Sequence, residues 1–115
     1  MFRSLKWKLQ RLFRGYSEAD TWQPCSFTVE KLQPVIKAYA TYEAEKGHSL
    51  PNEFAQDPSS WLVIIKDIEY AFDWLYADEF GEPFHSDNTD AIKAHYDRVD
   101  RGCENFGKYF RHMWN

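Results

Sequence analysis

Arg98, Arg101, Asn105, Lys108 and His112 step by three, four, three and four residues, the spacing that lines side chains up along one side of a helix. Cations in such a row can grip an anion. Arg14, Tyr16, Trp22, Tyr109, Arg111 and Trp114 supply further cations and rings of the kind that suit a phosphate-bearing, stackable ligand. The competing arrangement is plainer: Asp97 with Arg101 and Glu104 with Lys108 are four-apart ion pairs of a wet helix surface.

Other constellations fall short of chemistry. Glu45-Lys46-Gly47-His48 and Glu82-Pro83-Phe84-His85 have the Glu-x-x-His spacing of di-iron bundles, but Gly47 and Pro83 break the helix that would aim both ligands inward. The acidic run Asp78-Glu79-Phe80-Gly81-Glu82, followed by Asp87, Asn88 and Asp90, lacks the alternate-residue ladder of a calcium loop and reads as turn and capping residues. Glu69 and Asp73 share a helix face, where solvent would leave them an ordinary charged pair. Cys103 falls on an apolar stripe and is expected to be buried and inert, while Cys25, just before a helix N-terminus, has no partner base nearby in sequence. The five glycines are isolated, so no phosphate-cradling loop is present. The expectation is a protein that is not an enzyme, with no catalytic residue, metal or cofactor.

The elements that must position these residues are helices. Phe2, Leu5, Leu9 and Leu12 form one stripe over residues 2–14, and Gly15 should end that helix in a left-handed cap. Ser26 is the expected N-cap of a second helix over 27–46, with Val29, Leu32, Ile36 and Tyr39 as its stripe and Gly47 as terminator; Pro34 should kink it or delay its start to about residue 33. Asp57 and Pro58 open a third, whose main stripe is Trp61, Ile65, Ile68, Phe72 and Leu75. Its second stripe, Val63, Tyr70 and Trp74 with Asp67 among them, marks it as central or as a subunit contact. A long fourth helix over 89–113 carries Ile92, Tyr96, Val99, Cys103, Phe106, Phe110 and Met113 in four-three alternation. The connections are 15–26, 47–57 and 78–88, and no stretch alternates as a strand would. The predicted fold is all-α, a compact bundle of about four amphipathic helices forming one domain over residues 1–115.

Charge and composition narrow the function. Residues 1–14 carry five bases and no acid, leaving nine bases against all eighteen acids in the remainder, a balance of −9. An acidic body argues against coating duplex nucleic acid. Two cysteines without metal or disulfide-framework spacing fit free thiols in a reducing interior, and no apolar run is long enough for a signal peptide or a membrane span. The basic first helix has the pattern of a membrane-surface anchor; the arrangement expected instead has its stripe packed on the bundle and its bases facing water or the acidic body. An aromatic content of 18% exceeds the needs of a small core and points to rings at an interface or pocket.

Two segments, Arg14-Gly15-Tyr16-Ser17-Glu18-Ala19-Asp20-Thr21-Trp22 and the stretch from Gly102 to Trp114 that includes Lys108-Tyr109-Phe110-Arg111, resemble a family of short, largely uncharacterised bacteriophage proteins. That family carries an R-G-aromatic-S-x-x-D-x-W segment and a final helix ending in aromatic-K-Y-F-R-x-x-W. The resemblance implies a phage protein in the host cytoplasm, and no settled activity. From the residues themselves, Ser17 and Asp20 are capping residues of a short turn, Gly15 reverses the chain and Trp22 folds back over the bundle end.

The functional expectation is non-enzymatic counter-defence: sequestration of a nucleotide-type immune signal by Arg14, Tyr16, Trp22, Arg98, Arg101, Lys108, Tyr109 and Arg111, in a homo-oligomer. It requires the two ends of the chain to converge on one cavity. The alternative is an interaction module that inhibits or adapts a host or phage protein through an exposed helix face such as Val63, Tyr70 and Trp74.

Overall fold

The computed structural model describes residues 2–46 and 50–113, with the side chain of Phe2 left aside; Gly47, His48 and Trp114, all invoked above, lie outside the described residues. The chain is all-α. Helix α1 spans Phe2–Arg14, the short α2 Glu18–Trp22, α3 Pro24–Glu45, α4 Pro58–Phe80 and α5 Thr89–Tyr109. Single 3-10 turns at Asn52–Phe54 and Phe110–His112 precede α4 and follow α5.

Local chemistry explains most boundaries. Asp57 caps α4 by accepting from the Ser60 amide at 3.3 Å, and Pro58 fills the first helical position, where its missing N–H costs nothing. Asn88 caps α5, its Oδ1 accepting from the amides of Asp90 at 2.8 Å and Ala91 at 3.2 Å. Helix α3 departs from expectation. It starts three residues early, because Pro24 sets the helical φ at the first position, which places Ser26 inside the first turn rather than at the cap. It then continues through Pro34, where the carbonyl of Glu30 forgoes its helical donor.

Helix α4 is the centre. It packs against α3 on one side and α5 on the other, and those two make no close backbone approach to each other among the described residues. One apolar cluster joins Val29 and Ile36 of α3 to Ile68 and Phe72 of α4. A second joins Ala40, Trp61, Ile65 and Tyr109, with the Trp61 and Tyr109 rings edge-on at 5.4 Å and Phe54 against both at 5.6 Å.

The seam of α5 is rotated from the predicted one. His95, Val99, Gly102 and Tyr109 are buried, whereas Ile92, Tyr96, Cys103 and Phe110 are exposed. Gly102 explains the rotation: a Cβ there would stand 2.2 Å from the Asp67 carbonyl oxygen and 2.6 Å from the Ala71 side chain. The bare glycine lets α5 lie directly on the α4 backbone, and the residues flanking it in the four-three series then become the buried ones. Cys103 is exposed, contrary to its expected burial, and lies on the side of α5 toward Cys25 of α3.

Helix α1 stands apart from this three-helix layer: among the helices its backbone comes close only to α2, and it reaches α3 through the Arg11 side chain. The radius of gyration is 16.7 Å, against about 13 Å for a globular domain of this length, and the molecule measures 55 × 40 × 22 Å.

Candidate functional site

The R-G-Y-S-x-x-D-x-W segment is a joint. Gly15 takes φ 87°, a conformation that a side chain would strain, and turns the chain out of α1. Ser17, 1% exposed, caps α2 in a reciprocal box: its hydroxyl accepts from the Asp20 amide at 3.3 Å, and Asp20 Oδ2 accepts from the Ser17 amide at 2.7 Å. The same carboxylate grips α1. Arg11 Nε donates to Asp20 Oδ2 at 2.9 Å, its Nη2 bonds Oδ1, and Nη2 also lies 3.2 Å from Glu30 of α3. Facing Arg11 and fed by Ser17, the Asp20 carboxyl is held below the usual carboxylate range, while the guanidinium is raised.

Further polar contacts follow. Lys6 pairs with Glu18 at 3.3 Å, the Glu18 amide donates to Gln10 Oε1 at 2.8 Å, and Trp7 meets Trp22 edge-on at 5.6 Å with the Arg3 guanidinium over both rings. Helix α1 therefore meets the body with its polar side. Its apolar side faces away: Leu5 is 55%, Leu9 45%, Leu12 75% and Phe13 83% exposed. Leu5, Leu9 and Phe13, with Lys6, Gln10 and Arg14, border an open hollow of about 530 Å³. The expected packing of this stripe on the bundle is overturned, because the ion pairs at Asp20 and Glu30 claim the opposite face of the helix. Trp22 likewise covers Trp7 rather than the bundle end.

The other sequence-predicted site residues are dispersed. Arg14 donates from Nε to the Tyr16 carbonyl at 3.0 Å and lies 4.4 Å over the Tyr16 ring, forming with Phe27 and Thr28 part of a cleft of about 470 Å³. Arg98 and Arg101 both spend their Nε donors on Asp67, at 2.9 Å each, and the Arg98 guanidinium lies 4.0 Å over Tyr70. Arg101 does not pair with Asp97; that carboxylate takes Lys93 at 2.7 Å instead. Lys108 sits 5.1 Å over Tyr109, whose ring is a core residue at 4% exposure, and Arg111 is exposed in the last 3-10 turn. Among the described residues α1 and α2 have no contact with α5, so within one chain Arg14, Tyr16 and Trp22 do not share a cavity with Lys108, Tyr109 and Arg111.

The Val63, Tyr70 and Trp74 face also divides. Val63 is exposed, whereas Tyr70 and Trp74 close over His95, which is stacked on Phe84 at 3.9 Å and bonded to the Tyr70 hydroxyl through Nδ1 at 2.7 Å. Burial lowers the His95 pKa, with Asp78 pulling weakly the other way, and its Nε2 has no partner. At 3% exposure this imidazole packs the 81–88 connection onto α4 and α5. Glu69 and Asp73 are a helix contact rather than a solvated pair: Lys37 of α3 bridges them at 3.6 and 3.0 Å, and Gln33 donates to Asp73 at 2.8 Å.

Sequence reasoning missed Asp67, Asp20 with Arg11, and the outward face of α1. A usable signal existed for the first two, since an acid set among apolar or capping residues must find a donor. No protein-family model, no curated protein and no solved structure matches the chain.

Proposed function

We propose that this protein is a non-enzymatic interaction module that engages its partner through the apolar face of α1. The observation that carries this reading is the orientation of that helix: its polar side is bonded to α2 and α3, and its leucines and Phe13 are turned to solvent. Leu5, Leu9, Leu12 and Phe13 have the three-and-four spacing with which an amphipathic helix anchors in an apolar groove. Burying a side chain of this size contributes roughly 1.5–3 kcal/mol when it starts fully exposed, so these partly exposed anchors supply a hydrophobic term comparable with the lower end of the association cost, and polar contacts at the rim must add to it. In keeping with the phage resemblance, the partner is a protein of the host or phage in the host cytoplasm.

The test is a double variant, Leu9→Glu with Phe13→Glu, which leaves the α3–α5 layer untouched. Both proteins should show the same helical circular dichroism, and only the wild type should gain a protein partner, read either as a specific host protein retained from lysate or as a larger mass in light scattering. No difference between the two proteins in either readout defeats the reading.

One observation favours a second reading, a nucleotide-type ligand held by a smaller site than the eight residues named above. The guanidinium of Arg14 over Tyr16 borders an open cleft with Phe27, which pairs a cation with rings. Calorimetric titration with cyclic nucleotides and ADP-ribose derivatives tests it; heats identical in wild type and Arg14→Ala would end it.

A further inference from the structure

The three-helix layer has an apolar groove of its own. Leu32, Val35 and Tyr39 of α3 line, together with Phe106 of α5 and Phe110 and Met113 just beyond it, a hollow of about 140 Å³. Val35 and Phe110 are 58% and 60% exposed there. The groove lies where the backbones of α3 and α5, both packed on α4, stay apart and only their side chains meet, which leaves a shallow apolar trough along one side of the layer. A fourth helix with an apolar stripe would fill it and complete a bundle.

The chain contains such a helix and directs it elsewhere. We propose that the trough between α3 and α5 is the receptor for α1 of a second copy of this chain, so that two molecules exchange their first helices. The inference rests on the reading of α1 as a docking helix and names an occupant for its face.

Three observations support that choice of occupant. The first is charge: α1 is uniformly basic, and the rest of the chain has a balance of −9. Asp100 and Glu104, exposed on α5 on either side of Cys103 in sequence, have no ion-pair partner among the described residues, and neither has Lys8 beside the leucines of α1. Pairing α1 with α1 would instead set five positive charges against five, and an anionic bilayer would repel the acidic body. The second is shape. A radius of gyration some 3–4 Å above the globular value is what an arm reaching beyond its own body produces. The third is economy, because one operation covers the α1 face and the trough together, as reciprocal exchange does in a twofold dimer.

Light scattering after size exclusion, on the full chain, gives the first readout. Wild type should run as a dimer, and Leu9→Glu with Phe13→Glu (arm broken, trough intact) and Val35→Glu with Phe110→Glu (arm intact, trough broken) should each run as a monomer. The second readout is complementation. An equimolar mixture of the two variants should recover a one-to-one heterodimer, since one intact arm then meets one intact trough.

A monomeric wild type up to about 100 µM overturns the exchange without touching the docking role of α1, which is read separately by host-protein retention. A dimer that survives the trough variant but not the arm variant overturns it in favour of α1–α1 pairing. Flotation of the wild type, but not the arm variant, with vesicles of anionic lipid would overturn it in favour of a membrane. Should the trough variant misfold, Val35→Lys alone, at a site already exposed, serves in its place.

Discussion

Two helix contacts in this protein are built on the same device, a carboxylate clamped by arginine, and the device does different work in each. Between α4 and α5, Asp67 takes Arg98 and Arg101 above a seam so close that Gly102 touches the α4 backbone. Between α1 and α2, Asp20 takes Arg11 with no apolar seam beneath it, only the edge-on meeting of Trp7 and Trp22. In the first contact the ion pairs lie beside a close-packed helix seam. In the second they are the main attachment, which is why a helix so strongly amphipathic can be held the wrong way round for burial.

The sharpest way to break the contrast is at Gly102. Replacing it with valine should destabilise the α4–α5 contact by at least about 3 kcal/mol, because the obstacle is backbone and cannot move aside, and urea unfolding should show the loss as a lower midpoint. An unchanged midpoint would mean that the two helices are not in van der Waals contact there. Asp20→Ala should act next in size and elsewhere. It removes charge-assisted bonds worth about 1–2 kcal/mol once the exposure of Arg11 is discounted, so amides of α1 should exchange roughly tenfold faster while those of α4 keep their protection.

Acid separates the contacts with the smallest effect. The folded His95 has a lowered pKa, so its contribution is complete above the ordinary histidine value of about 6.5 and is lost as pH falls below it. Asp20 is lowered from the carboxylate range, so its contribution persists above about pH 4 and is lost only below that. Between pH 7.5 and 5 the urea midpoint should therefore fall while the amides of α1 keep their exchange protection. His95→Phe should flatten the dependence of the midpoint; a slope that persists in this variant would assign the proton elsewhere.

Much of this architecture was legible in the residues. Asp57-Pro58, Gly15 and the Ser17–Asp20 box announced their own conformations, since each is a short-range bargain between a side chain and the next turn of backbone. The buried seam of α5 was not, because periodicity finds apolar residues and this seam runs through a histidine and a glycine. The start of α3 was misplaced for a similar reason: Ser26 is a good cap, but Pro24 already satisfies the backbone two residues earlier. The convergence of the two chain ends was a tertiary assumption, and no local pattern could test it. The direction of α1 was hidden by the same limit. A moment along a helix says that it has two unlike faces, and says nothing about which one a distant acid will claim.

Only Gly15, Tyr16 and Ser17 separate the end of one helix from the start of the next. So short a connector behaves like a gear rather than a tether. Adding one residue to it would advance the leading helix by about 100° about its axis and present a different set of side chains to whatever lies opposite. Length, more than composition, is what this stretch has to preserve, and variants that lengthen it by one residue should be far less tolerable than those that change its surface chemistry.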